Sequence, residues 1–172
     1  MRLFIAIEIP EHISLELRKI QESIKQEGIK LVKDFHLTLK FLGEIEEKDV
    51  EKIKSDLQKI QFEPFEATLN GAGVFPNMHH INTIWIGLEP EIKFEEIAKQ
   101  IDPDEKRFKA HITLGRVKFM KNKQAFIEKF NKIEVPKISF KVDKIKLIKS
   151  TLTREGPVYE VLAEFPNIQN AT

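Results

Sequence analysis

One short pattern occurs twice in the chain, as Phe35-His36-Leu37-Thr38-Leu39 and Ala110-His111-Ile112-Thr113-Leu114, with the histidines 111 − 36 = 75 residues apart. The chain carries only five histidines, so two of them in the same His-aliphatic-Thr-Leu setting point to internal self-similarity. Each copy alternates polar and apolar residues, the mark of a strand with one buried face. His36 and Thr38 then share one side, as do His111 and Thr113, while Leu37, Leu39, Ile112 and Leu114 hold the other side in a core. A fold that satisfies both copies has two similar lobes, each built around one such strand.

The rest of the chain fits that frame. Leu3 to Ile9 reads as a buried strand, stopped by Pro10. Ile13, Leu17, Ile20 and Ile24 fall at helical spacing, and Gly28 closes that helix. A second helix is expected from Glu47 to Ile60, a short one from Phe94 to Ile101, and a fourth from Lys123 to Asn131. Further strands are expected at Phe65–Leu69, Thr83–Leu88, His111–Val117, Ile138–Ile148 and Pro157–Phe165. Gly71 and Gly73 suggest a bulge or a close backbone approach. The tail from Asn167 is polar and expected to fray. No linker or low-complexity run divides the 172 residues, so they read as one bilobal α+β domain with a central cleft.

The bulk properties exclude several classes. There is no cysteine, which rules out disulfides and thiolate metal sites and suits a reducing interior. No stretch approaches the ~18 apolar residues of a membrane span, and the apolar start is too short for a signal peptide. A soluble, cytoplasmic protein is expected. The net charge is only +1, so a nucleic-acid site must be a local basic groove. Gly71-Ala72-Gly73 is too short for a phosphate-cradling loop, which argues against a nucleoside-triphosphate hydrolase. No carboxylate sits at ligand spacing beside His36 or His111, so neither a metal nor another cofactor is expected. His79-His80 reads as a surface loop pair, and His12 as an exposed first-turn residue.

Two histidines on facing strands suit metal-free chemistry at a phosphodiester. In-line displacement puts the attacking and leaving oxygens on opposite sides of phosphorus. One imidazole must take a proton and the other must give one. The Thr38 and Thr113 hydroxyls can donate to the non-bridging oxygens. For positive charge, Lys40 shares the His36 face by parity. Arg116 is opposite His111 and Thr113 by simple alternation and needs a twist or bulge to reach in. Arg154, in the turn Arg154-Glu155-Gly156-Pro157, ranks below it. Phe75, Phe108 and Trp85 are aromatic candidates for stacking on a base, with core packing as the ordinary alternative.

These residues resemble the two-histidine phosphoesterase superfamily. Within it the chain looks like the LigT-like RNA 2′,3′-cyclic phosphodiesterases, also called 2′-5′ RNA ligases. The matching runs are Met1–Ile7, Phe35–Gly43, Gly73–Pro76, Trp85–Leu88, Phe108–Arg116, Ser150–Leu152 and Gly156–Tyr159. Ala110 stands where proline is common, and Gly115 where alanine is frequent. The resemblance implies antiparallel sheets around a central cleft and metal-free hydrolysis of a 2′,3′-cyclic phosphate to a 2′-phosphomonoester. It also implies that His36 is the proton donor, His111 the acceptor, and Thr38 and Thr113 phosphate ligands. The expected partner is RNA with a cyclic phosphate end, with no protein partner and a monomeric chain. The alternatives are 2′-5′ RNA ligation in the same cleft and a non-catalytic domain that binds RNA ends.

Overall fold

The computed structural model describes residues 1–166; the tail from Asn167, expected to fray, lies outside the described residues. In order the elements are β1 (Arg2–Glu8), α1 (Glu11–Ile24), β2 (Ile29–Leu31) and β3 (His36–Glu44). A 3-10 turn at Glu47–Asp49 leads into α2 (Val50–Leu57), then β4 (Phe65–Asn77), β5 (His80–Glu89) and α3 (Glu91–Ile101). The chain finishes with β6 (His111–Val117), α4 (Lys123–Asn131), β7 (Ser139–Val142), β8 (Lys144–Thr153) and β9 (Gly156–Pro166). The strands form a four-stranded sheet, β3-β1-β8-β9, and a five-stranded sheet, β2-β6-β5-β4-β7. Every pairing is antiparallel.

The alternation in β1 sets its two faces. Leu3, Ile5 and Ile7 enter the main core, while Phe4 and Ala6 pack on the other face with Ile148 and Tyr159. The stripe Ile13, Leu17, Ile20 and Ile24 of α1 is buried, as are Phe94 and Ile97 of α3. Each such side chain contributes about 1.5–3 kcal/mol when fully buried. The same core takes Leu37 from β3, Ile84 and Ile86 from β5, Ile112 from β6 and Leu147 from β8, so it joins both sheets. No helix among the described residues is long and apolar enough to cross a membrane.

Several elements differ from the sequence reading. β2 was not expected. It exists because Gly28 turns the chain at φ +91, where a Cβ would lie 2.0 Å from the Phe119 carbonyl oxygen. The Gly28 carbonyl in turn accepts the Lys118 N–H at 2.7 Å, which lays Ile29–Leu31 along β6. The span Ile138–Ile148, read as one strand, is two. β7 pairs with β4 and β8 with β1 and β9, so the chain changes sheet at Asp143. The lobes are therefore not the two halves of the sequence: β1 and β3 share their sheet with β8 and β9. β4 runs on through the glycines, with an irregularity between Leu69 and Ala72 where Gly71 adopts φ +72.

Gly73 lies opposite Trp85 on β5, and a Cβ there would come 2.2 Å from the indole Cζ2. The indole is a rigid plate and cannot bend away as a flexible side chain would. Gly73→Ala is expected to lower stability by about 1–3 kcal/mol, as overpacking does. The check is a fall in the denaturant midpoint at constant m; an unchanged midpoint would show that the plate slides freely.

Candidate functional site

The two motif strands carry the same irregularity at the same place. In β3, Glu8 faces His36 and Ala6 faces Thr38, but the next pairs are Ile5 with Lys40 and Phe4 with Phe41. Leu39 is the extra residue. In β6, Gly87 faces His111 and Trp85 faces Thr113, then Ile84 faces Gly115 and Thr83 faces Arg116. Leu114 is the extra residue. A bulge of one residue shifts the alternation, so every side chain beyond it changes face. Directly opposed residues share a face. Phe41 and Arg116 thereby join the histidine faces of their strands.

This corrects the parity assigned to Lys40. It sits opposite Ile5, a core residue, and off the His36 face, yet it lines the cavity of His111 with Thr38 and Phe41. Its ammonium donates to Asp102 at 2.5 Å. That bond raises the Lys40 pKa and holds the Asp102 carboxyl below its usual range. The same effect supplies what Arg116 needed: the Leu114 bulge turns it inward. Arg154 is exposed in the turn between β8 and β9 and is not among the residues lining the cavities described next.

His36, Thr38, Thr113, Arg116 and Tyr159 line a cavity of about 470 Å³ between the sheets. His111 lines a neighbouring cavity of about 270 Å³ with Arg107, Phe108 and Lys109. The two cavities meet at Thr38 and Phe41, which line both. The two motifs thus line adjacent cavities that share Thr38 and Phe41 as walls, with both threonines lining the larger one.

Each imidazole packs steeply inclined against a pair of aromatic rings that also touch each other. Phe4 and Tyr159 lie 5.6 and 4.9 Å from His36 between centroids. Phe75 and Trp85 lie 5.0 and 6.1 Å from His111. Phe75 is also tilted against Trp85 at 4.9 Å and is half-buried. Lys109 extends its ammonium over the indole at 5.8 Å. Among the described residues no group of three or more His, Cys, Asp or Glu is placed to hold a metal ion.

The surroundings of the two histidines differ in charge. His111 Nδ1 lies 2.6 Å from the Lys109 carbonyl. A carbonyl only accepts, so Nδ1 carries the hydrogen and neutral His111 presents a bare Nε2 lone pair. Burial lowers the His111 pKa; the Lys109 carbonyl opposes this, and Arg116 reinforces it. Burial lowers His36 as well, but Asp34 and then Glu8 pull it back up, against Lys146. Glu8, opposite His36, is gripped by the buried Lys146 ammonium, which also pairs with Glu164 at 3.1 Å. Asp34 and Glu8 thus act on His36 against Lys146, while Arg116 and the Lys109 ammonium act on His111 against Glu91.

Phe4, Asp34, Phe41 and Tyr159 were missed as site residues. Tyr159 had one available signal, being the only tyrosine in the chain. Burial pushes its hydroxyl pKa up, and Asp34 adds to the shift.

Comparison with known proteins gives a consistent set. The family model described as LigT like Phosphoesterase matches twice, over residues 7–85 and 86–159, once around each motif. A protein of Methanocaldococcus jannaschii named RNA 2′,3′-cyclic phosphodiesterase is 42% identical, across 96% of this chain and 100% of its own. One of the same name from Thermotoga maritima is 34% identical over 95% and 94%. A solved structure from Thermus thermophilus superposes with TM-score 0.80 at 30% identity, covering 96% of this chain and 97% of that one. The fold alone is shared with Escherichia coli LigT complexed with 3′-AMP, at TM-score 0.79 and 24% identity over 96% and 97%.

The charge asymmetry is measurable without any assay. In an NMR titration of the imidazole C–H signals, both histidines are expected to titrate below the ordinary value of 6.5. Asp34→Asn removes the leading influence that favours imidazolium at His36, so His36 should titrate lower still while His111 stays in place. An unmoved His36 would mean that Asp34 does not act on it.

Proposed function

The chain belongs to the LigT-like phosphoesterase family, and from that footing we propose that it hydrolyses RNA 2′,3′-cyclic phosphate ends to 2′-phosphomonoesters. His36 is the proton donor and His111 the proton acceptor. The observation that carries the assignment is the Nδ1–H of His111 held by the Lys109 carbonyl, which leaves Nε2 free to accept. The carboxylates beside His36 support its complementary role as the imidazolium.

The steps follow from that placement. His111 Nε2 takes a proton from water as the water oxygen forms a bond to phosphorus. The bond from phosphorus to the ribose 3′-oxygen breaks in line, and His36 gives its proton to that oxygen. The phosphate stays on the 2′-oxygen. Charge building on the equatorial oxygens meets the Thr38 and Thr113 hydroxyls and Arg116, donors already in place before reaction. The bound phosphate anion raises the pKa of both imidazoles, and Arg116 offsets that effect at His111. After turnover His36 is neutral and His111 charged, and exchange with solvent restores the start.

A second reading, 2′-5′ RNA ligation, uses the same path with a 5′-hydroxyl in place of water. The cavity beside His111 supports it, since about 270 Å³ lined by Arg107, Phe108 and Lys109 is more room than one water needs. Both motifs come from one chain, which fits a monomer working on RNA ends in the cytoplasm.

The test is turnover of an RNA oligomer with a 2′,3′-cyclic phosphate end in EDTA. The wild type should yield only the 2′-phosphate, and His36→Ala and His111→Ala should each lower kcat by roughly 10²–10⁴-fold, the usual contribution of a positioned acid or base. Binding of cyclic ends without turnover would make these cavities a recognition site. Abolition by the chelator would overturn the metal-free mechanism.

A further inference from the structure

In-line attack fixes where the body of the substrate must lie. Water enters from the His111 side, so the leaving 3′-oxygen, its ribose and the chain attached 5′ of it lie on the His36 side. On that side the main cavity is flanked by two more that share walls with it. One of about 510 Å³ shares Asp34, His36, Pro157 and Tyr159 with it. Another of about 170 Å³ shares Asp34, Arg116, Pro157 and Tyr159. Together they form a trough between the segment Lys30–Asp34 and the hairpin segment Glu155–Tyr159.

The trough holds cations with no carboxylate partner among the described residues. Lys30 is exposed and has no such partner there. Lys33 spans the trough, its Nζ donating to the Glu155 carbonyl at 2.9 Å. Arg18 packs over Phe35 and donates to the Lys33 carbonyl at 3.0 Å, which steadies the segment. A neutral carbonyl is a weaker partner for an ammonium than a phosphodiester oxygen. Glu8, Glu11, Asp34 and Glu155 also face the trough, with Asp34 and Glu155 lining both of its parts. A carboxylate there suits a ribose 2′-hydroxyl, the group that marks RNA.

Resting on the proposed hydrolase reading, we propose that this trough is the binding site for the RNA chain 5′ of the cyclic phosphate. Lys30 and Lys33 contact its phosphodiesters, and the protein therefore selects RNA oligomers over cyclic mononucleotides. Lys33 exchanges the Glu155 carbonyl for phosphate when the chain enters.

The experiment compares kcat/KM for a 2′,3′-cyclic mononucleotide and for a short RNA oligomer with the same terminal nucleotide, in wild type, Lys30→Ala and Lys33→Ala. The oligomer should be preferred. Each variant should lose roughly tenfold more on the oligomer than on the mononucleotide, as removal of a charged hydrogen bond does. The salt dependence on the oligomer should flatten by about 0.7 in the log–log slope for each phosphate no longer neutralised by a lysine. Lys30→Ala breaks no bond within the protein, so it reads the charge even if Lys33→Ala disturbs the hairpin. Equal losses on both substrates, or none on the oligomer, overturn the proposal. Direct binding of an oligomer ending in a 2′-phosphate, against the 2′-nucleotide, separates the two readings. A binding preference lost in Lys30→Ala in an inert protein keeps the trough and rejects the hydrolase. No preference in binding rejects the trough.

Discussion

The site depends on two buried leucines that have no partner on the strand laddered against their motif, β1 for Leu39 and β5 for Leu114. Leu39 and Leu114 are each a one-residue excess placed directly after the motif threonine, and β3 carries a second excess at Leu42. Without the excess after the threonine, alternation would send Lys40 and the small Gly115 the way of the histidines. With it, the residues that turn inward are Phe41 and Arg116, which again stand 116 − 41 = 75 positions apart. The duplication thus extends beyond the motif to the bulge and to what the bulge presents. The copies then diverge: one lobe supplies an aromatic wall, the other a guanidinium.

A bulge leaves backbone groups without their ladder partners, and these must be satisfied elsewhere. The Leu114 carbonyl accepts the Val32 N–H at 3.0 Å and the Gln21 side-chain amide at 2.9 Å. Gln21 is one of the few buried polar residues, and the same amide also donates to the Val32 carbonyl. Helix α1, the end of β2 and the bulge are therefore tied at one point. This explains why a three-residue strand as short as β2 persists: its neighbour needs the chain there. The orientation of Arg116 rests on a glutamine in the first helix.

Much of this was legible in the sequence because it obeys simple periods. The motif strands, α1 and α4 show apolar residues at spacing two or near three and a half, and the structure places them there. What escaped reading depends on pairing rather than period. Ile29-Lys30-Leu31 is too short to display alternation, and only its register against β6 makes it a strand. The change of sheet at Asp143 is marked only by the successive polar residues Asp143-Lys144, which shift the phase of an otherwise alternating run. The reversed faces of Lys40 and Arg116 require knowing that one leucine is skipped, which the partner strand decides. Tyr159 meets His36 from a distant strand, so no local spacing announces it, and Asp34, two residues before His36, lies in a bend where strand parity does not fix its direction.

Duplication makes two equivalent histidines, whereas proton transfer in opposite directions needs two unlike ones. Packing alone does not separate them. Each imidazole packs against an aromatic pair, and burial drives both pKa values the same way, downward. The difference comes from residues outside the repeated motif: Asp34 and Glu8 on one side, Arg116 and the Lys109 carbonyl on the other. Burial matters to that difference as well, because a neighbouring charge acts more strongly where water is excluded. The aromatic walls thus do not choose donor or acceptor, but they sharpen the choice that the charges make. Under the proposed hydrolysis, a symmetric scaffold would in this way hold an asymmetric reaction, its two histidines told apart by the charges around them.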